Sequence, residues 1–533
     1  MSTIKHFDAV VIGAGFSGLR MLWELRQLGL STQVIEAAPD VGGTWYWNRY
    51  PGARTDSQSW VYAFSFSKEL QDEWDWQERY PTQAEALAYL QYVADRFDMR
   101  RDIQFQTRVE SAVYDETANR WTVITDQGDT YTCKYLVAAT GVLSLPYTPP
   151  FPGIDTFAGE SYVTGHWPQE KVGFAGKRVA VIGTGATAIQ IIPIVAQTAA
   201  HVMVFQRTPN YVLPARNAPL SDEERQAIRT SYDDIWRHAR EHFFGLSIGL
   251  SDRRAQDLTP AEQQRVLECG WEEGGFHFVF ETFGDILTDD RSNELASEFI
   301  RNKIRAIVHD PKTAELLCPK DYPFVGKRPP LGHFYYEAFN RENVSLLDIS
   351  DNPISEITAH GLRTETDEYE ADMIIFATGF DAVTGTLRSL DIRGKGGKAL
   401  RDKWNGGPRT HLGIGVDGFP NLFLICGPQT PFANLPVVID AIVDWIGTTI
   451  NHLETNGITA IEATHEAVEA WGKHMDELVN DTVLVRGKDS WFLGDNIPGK
   501  PHVVLFYFGG VGGYRQECHA AIDNGFDGFA LSK

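Results

Sequence analysis

Cysteine is scarce and scattered in this chain of 533 residues: five in all, Cys133, Cys269, Cys318, Cys426 and Cys518, with no C-x-x-C pair. That pattern excludes a disulfide scaffold, a zinc ribbon and a close dithiol redox pair, and points to a reducing compartment. Basic residues are also short, 48 Lys and Arg against 71 Asp and Glu, for a formal charge of -23. A broad nucleic-acid or anionic-membrane surface needs the opposite balance. Any phosphate must then be held locally, by backbone N–H groups or a few placed cations. No apolar run approaches the roughly 18 residues of a membrane span, and the N-terminus enters DAVVIGAGFSG without space for a signal peptide. The expectation is a cytoplasmic protein that engages no nucleic acid and no membrane and needs no obligate protein partner. H-E-x-x-H is missing and the histidines do not cluster at ligand spacing, so no metal is expected. No G-x-S-x-G nucleophile elbow follows an apolar strand, which disfavours a hydrolase.

What is present is ordinary in bulk and specific in detail. The length predicts two or three domains, and a 43% hydrophobic, 22% charged composition is that of a globular chain. HFDAVVIGAGFSGLRMLWELRQLGLSTQVIEAAPD reads as strand, glycine turn, amphipathic helix and second strand. Gly13, Gly15 and Gly18 permit the turn and a close approach of pyrophosphate to a helix N-terminus; Glu36, closing the second strand, accepts hydrogen bonds from a ribose. RVAVIGTGATAIQIIPIVAQTAAHVMVFQRT repeats the design with Gly183, Thr184 and Gly185, Ala188 where a third glycine would stand, and Gln190 further along the helix. Its second strand ends not in an acid but in Arg207 and Thr208, and a guanidinium there suits a 2′-phosphate. The first loop therefore reads as an FAD site and the second as an NADP(H) site.

The fold class expected is α/β: two Rossmann-like dinucleotide-binding units with an inserted helical subdomain. The first unit spans 1–145 and returns over 372–533; the second spans 146–213 and returns over 330–371. Residues 214–329 form the insertion, where SDEERQAIRTSYDDIWRHAREHFFG and SNELASEFIRNKIRAIV read as amphipathic helices. Two short apolar segments, YLVAATGVLSLP and DMIIFATGFD, end in Ala-Thr-Gly. Spacing alone leaves open whether they return to the nucleotide units or are ordinary buried strands with a glycine stop.

Together these features resemble the flavin-dependent class B monooxygenases, and among them the type I Baeyer–Villiger monooxygenases of the cyclohexanone monooxygenase kind. GTWYWNRYPGARTD, residues 43–56, satisfies the family pattern G-x-W-x4-[FY]-P-[GM]-x3-D through Asp56. GKRPPLGHFYYEAFNREN places Lys327 and Arg328 where that family keeps a cofactor-contacting lysine and its catalytic arginine. GPQTPFANLP, with Phe432 and Leu435, resembles the substrate-face loop, and DSWFLGDNIPGKP, with Trp491, resembles the mobile tryptophan loop expected near 485–501. One signature departs. FAGESYVTGHWP matches F-x-G-x3-H-x3-W-P at Phe157, Gly159, Trp167 and Pro168, but Val163 stands at the histidine position and His166 falls three residues later. In the family that histidine lies in the linker between nucleotide units, so the departure bears on coupling and domain movement more than on reaction type.

The resemblance implies an NADPH- and O2-dependent conversion of a ketone to an ester or lactone through a C4a-peroxyflavin, with sulfoxidation as a side activity. Arg328 is expected to stabilise the anionic species, with Asp56 orienting it; Thr44, Trp45, Asp56 and Tyr62 join the flavin contacts, Lys327 and Trp491 the NADP contacts. Competing readings are a monooxygenase acting on nitrogen or sulfur, and a two-nucleotide flavoprotein reductase. Which ketone is taken is not legible.

Overall fold

The computed structural model describes residues 4–533. Two parallel-cored sheets organise it. The first has eight strands, built around Lys5–Ile12, which pairs in parallel with Thr32–Ile35 on one side and Thr130–Ala138 on the other. The antiparallel strands Val109–Asp115 and Arg120–Thr125 extend it, and Asp391–Arg393 and Leu422–Leu424 return to it from the second half of the chain. The second sheet has five parallel strands, in the order Val344–Asp348, His201–Gln206, Arg178–Ile182, Met373–Phe376 and Glu160–Val163.

Both sheets are apolar through their centres because both faces are covered: Val10, Val11, Val179 and Val181 are fully buried, and the second sheet packs one face on the helix Ala186–Val195 and the other on the antiparallel strands Ile354–Thr358 and Gly361–Thr364. Met373–Phe376 corrects one expected boundary. Read as the start of the returning first unit, it instead pairs with Arg178–Ile182 and Glu160–Val163 in the second sheet. A four-residue apolar strand carries no mark of the sheet that will accept it.

Each Ala-Thr-Gly segment backs a glycine turn. Ala139 donates its N–H to Ile12 O at 3.0 Å and Ala377 donates to Ile182 O at 3.0 Å. Gly13 has φ +105° and a Cβ there would lie 2.6 Å from Ala139 O; Gly183 has φ +112° and a Cβ there would lie 2.5 Å from Ala377 O. Only glycine meets both demands, so the two segments are buried strands and backstops of the turns at once.

The insertion is helical, as its charge-rich amphipathic pattern predicts. Asp222–Glu241 opens on a capping box between Ser221 and Glu224 and buries Tyr232, Trp236 and Ala239. Asp290–Ile307 is capped by Asp289 and buries Phe299, Ile300 and Ile304; such caps contribute about 1 kcal/mol each.

Candidate active site

The two turns present backbone donors. The helices Phe16–Gln27 and Ala186–Val195 begin at Gly15 and Gly185, with no side-chain cap and no acid in the first turn. Their leading N–H groups and the helix dipole form a cradle for a phosphate. Around the first turn the fit is tight: a Cβ at Gly18 would lie 1.8 Å from Gly13 O. Glu36 is buried and its two carboxylate oxygens accept the N–H of Ala14 and of Ala38, each at 2.7 Å. Burial pushes its pKa up, opposed by those backbone donors.

The second turn is looser. Nothing lies within 4 Å of a Cβ at Gly185, and Ala188 is accommodated fully buried. Thr184 donates its hydroxyl to Thr208 O at 2.9 Å, tying the turn to the end of the neighbouring strand. The Arg207 side chain is 60% exposed and its guanidinium lies 3.3 Å from the Asp489 carboxylate. Thr208 donates to the same Asp489 oxygen at 3.0 Å. Lys327 stands half-buried near them, its ammonium 5.4 Å from the centre of the Tyr322 ring. Burial pushes its pKa down to about 8, with Asp489 opposing and Arg207 assisting the shift.

Between the turns lies a cavity of about 690 Å³. Its walls include Thr44, Trp45, Asp56 and Tyr62 from the first unit, Gly183, Thr184, Gly185, Gln190, Arg207 and Thr208 from the second, Lys327 and Arg328, and Phe432, Leu435 and Trp491. Sequence positions more than 400 residues apart thus share one chamber, as the family motifs imply. Gly13, Gly15, Gly18, Glu36 and Ala188 stand outside this lining, in or behind the turns.

Arg328 and Asp56 form an ion pair of 2.6 Å on the cavity wall, with side chains 23% and 4% exposed. The same Asp56 oxygen accepts the N–H of Leu331 at 3.4 Å, while its other oxygen, also buried, has no protein partner. Arg328 also sits over the Phe276 ring, 5.7 Å from its centre. Trp45 donates its indole N–H to the Tyr62 hydroxyl at 3.1 Å, and burial pushes the Tyr62 pKa up.

The motif of residues 43–56 does more than line the cavity. Tyr50 donates its hydroxyl to the Gln190 side chain at 2.7 Å, and Gln190 donates to Arg54 O at 3.1 Å. A Cβ at Gly52 would lie 2.5 Å from Gln190 O. The motif is therefore seated directly on the second unit's phosphate-loop helix, and the Gln190 side chain is used in that seat.

Trp491 packs against Phe432 and Phe506, with ring centres 5.5 and 5.2 Å apart, so its indole belongs to an aromatic wall. Its loop is docked at both ends: Asp489 reaches Arg207 and Thr208, while Asn496 donates to Phe380 O at 3.1 Å and Lys500 pairs with Asp381 at 2.5 Å. In the linker, Val163 ends an edge strand of the second sheet and packs against its core. His166 instead meets Trp47, ring centres 5.0 Å apart, and burial lowers its pKa. Sequence reasoning missed Phe276 and Asp489, and matched Tyr50 to the motif without its bond to Gln190. Asp489 stands two residues before Trp491 in a stretch singled out for its tryptophan.

Comparison with known proteins agrees with this architecture. The family profile for pyridine nucleotide-disulphide oxidoreductases matches residues 10–226. A Baeyer–Villiger monooxygenase of Pseudooceanicola batsensis is 46% identical over 98% of this chain and 95% of its own. A phenazine N-monooxygenase of Lysobacter antibioticus is 44% identical over 99% of this chain and 97% of its own. The crystal structure of cyclohexanone monooxygenase from Rhodococcus sp. Phi1 bound to NADP+ superposes with a TM-score of 0.97, 44% identity and complete coverage of both chains. With two glycine turns, a shared cavity and full-length relatives of this kind, the chain belongs to the Baeyer–Villiger monooxygenase family of flavoproteins.

Proposed function

We propose that this chain is an NADPH- and O2-dependent flavin monooxygenase that converts a ketone to an ester or lactone. The observation that carries the reading is the Arg328–Asp56 pair on the wall of a chamber that also reaches the second glycine turn. The donor sets fit two different dinucleotides. Gly13, Gly15, Gly18 and Glu36, with Thr44, Trp45, Asp56 and Tyr62, would hold FAD; Gly183, Thr184, Gly185, Ala188, Gln190, Arg207, Thr208 and Lys327, with Trp491, would hold NADP(H). A sealed acid suits a ribose diol and an exposed cation suits a 2′-phosphate.

When bound, FAD reduced by NADPH supplies the activated oxygen. The chain's own work is positioning, charge stabilisation and exclusion of water. Addition to a ketone carbonyl builds negative charge on its oxygen, and the Arg328 guanidinium, cationic at any working pH, offers N–H donors to that charge. Asp56 holds the guanidinium in place. Phe432, Leu435 and Trp491 give the ketone an apolar wall and keep water out. The free cysteines, four of them buried, leave no dithiol for a reductase of the disulfide type and accord with the cytoplasm as the place of action.

Arg328→Ala tests the assignment: ester formation from a ketone panel, followed by gas chromatography, is expected to fall about 100- to 1000-fold. Undiminished ester formation overturns it. The phenazine N-monooxygenase among the relatives favours a second reading, oxygen transfer to an aromatic nitrogen. N-oxide from phenazine, with no ester from any ketone, would replace the first reading with the second.

A further inference from the structure

A second cavity, of about 610 Å³, opens between the helices Asp222–Glu241 and Gly510–Asp523 and shares no lining residue with the first. Three guanidinia line it, those of Arg237, Arg240 and Arg515, against one acid, Glu241. In a chain of net charge -23 that local excess of cation is an exception. Arg237 is matched by Asp234 at 2.8 Å. Among the described residues, no carboxylate lies within ion-pairing distance of the other two. Arg240 donates to the Ser65 hydroxyl at 2.9 Å, and that hydroxyl donates in turn to Asp440. Asp440 and Asp444 are themselves spent on Arg20, at 2.9 and 2.7 Å. Arg515 is half-buried; burial and the facing Arg240 push its pKa below the usual arginine value, with Asp444 and Asp440 opposing from beyond contact. Two such cations side by side are costly until an anion joins them. The helix behind them favours one: it opens on Gly510-Val511-Gly512-Gly513 with no side-chain cap and no acid in its first turn. Val511 donates its N–H to Phe243 O at 3.1 Å, and a Cβ at Gly512 would lie 2.8 Å from Glu241 O, so the helix start is held hard against the other helix.

We propose that this cavity is a binding site for a phosphate dianion, free or carried as a phosphomonoester, gripped by Arg240 and Arg515 over the start of the helix Gly510–Asp523. Two guanidinium forks and a helix N-terminus approach from three sides, which suits a tetrahedral group of oxygens better than a flat carboxylate. The volume exceeds what a bare phosphate fills, and Arg237, Gln516 and His519 complete the wall that an ester's remaining part would meet. The site also backs the first cavity: Phe243 holds Val511, and its neighbour Phe244 lines the chamber of Arg328 and Asp56.

The test is calorimetric titration of inorganic phosphate into the flavin-loaded protein saturated with NADP+, so that both glycine turns are already filled, against sodium chloride of matched ionic strength. One further site is expected. Arg515→Gln should weaken it about tenfold, the low end for a hydrogen bond to a charged group. Should that variant fail to fold, Gln516→Glu puts the question from an exposed position on the same wall: a carboxylate of equal shape beside the cations should weaken phosphate about two- to fivefold. No heat beyond the chloride control, or an affinity unchanged in both variants, overturns the proposal. Hydrogen exchange locates the site. Saturating phosphate should slow exchange within residues 237–245 and 510–519, and protection confined to other segments overturns the assignment. Glycerol 3-phosphate separates the two sources: tighter binding than inorganic phosphate assigns the cavity to an ester, and weaker binding assigns it to the free ion.

Discussion

The two glycine turns obey one steric rule and end in opposite electrostatic designs. In the first, Gly18 leaves no space for a methyl group and Glu36 is sealed by its own unit's backbone. In the second, Ala188 is tolerated, Arg207 is open to solvent, and its partner Asp489 is borrowed from a loop nearly 300 residues away. A site finished from within suits a group that stays; a site finished by another segment suits a group that comes and goes. The difference accords with the proposed assignment of the flavin to the first turn and the nicotinamide nucleotide to the second.

Three experiments bear on that contrast. Gly18→Ala should break the first site: the new methyl meets a backbone oxygen, a strain of about 2–4 kcal/mol, and the protein should purify with little flavin absorbance. Retention of full flavin would mean the turn is not as tight as it looks. The second site should respond to pH where the first does not present a titrating cation. Lys327, pushed down to about 8, is charged below that pH and neutral above it. Affinity for NADP+ should therefore fall as pH rises through 8, by at most about tenfold per pH unit, while NAD+ affinity stays level. Lys327→Arg should remove the fall, because a guanidinium keeps its proton. The smallest effect belongs to Ala188→Gly, which should cost about 0.5–1 kcal/mol in denaturant unfolding through the helix alone and leave NADP+ binding in place.

Much of this was legible in the chain because it is local. A strand, a glycine turn and a helix follow one another within thirty residues, so the spacing reports the structure. The residue closing each second strand, Glu36 in one and Arg207 just past the other, is what assigns a nucleotide to each turn in the proposal. The Arg328–Asp56 pair was legible only through family resemblance, since no local pattern joins residues 272 positions apart. Met373–Phe376 went to the wrong sheet because a short apolar strand fits either one. Asp489 escaped notice because an acid in a loop looks solvated until the fold sets it beside Arg207. The Val163 departure reads differently in three dimensions: valine ends a strand against an apolar core, and His166, on the far side of a short turn, meets Trp47.

The seat of residues 43–56 on the second unit has a mechanical consequence. Gly52 touches the Gln190 carbonyl with no clearance for one more carbon, and Tyr50 grips the same residue's side chain. A joint without clearance cannot slide on its own: any shift of the second unit's phosphate-loop helix must carry the backbone of residues 50–54 with it, and Asp56 lies two residues beyond.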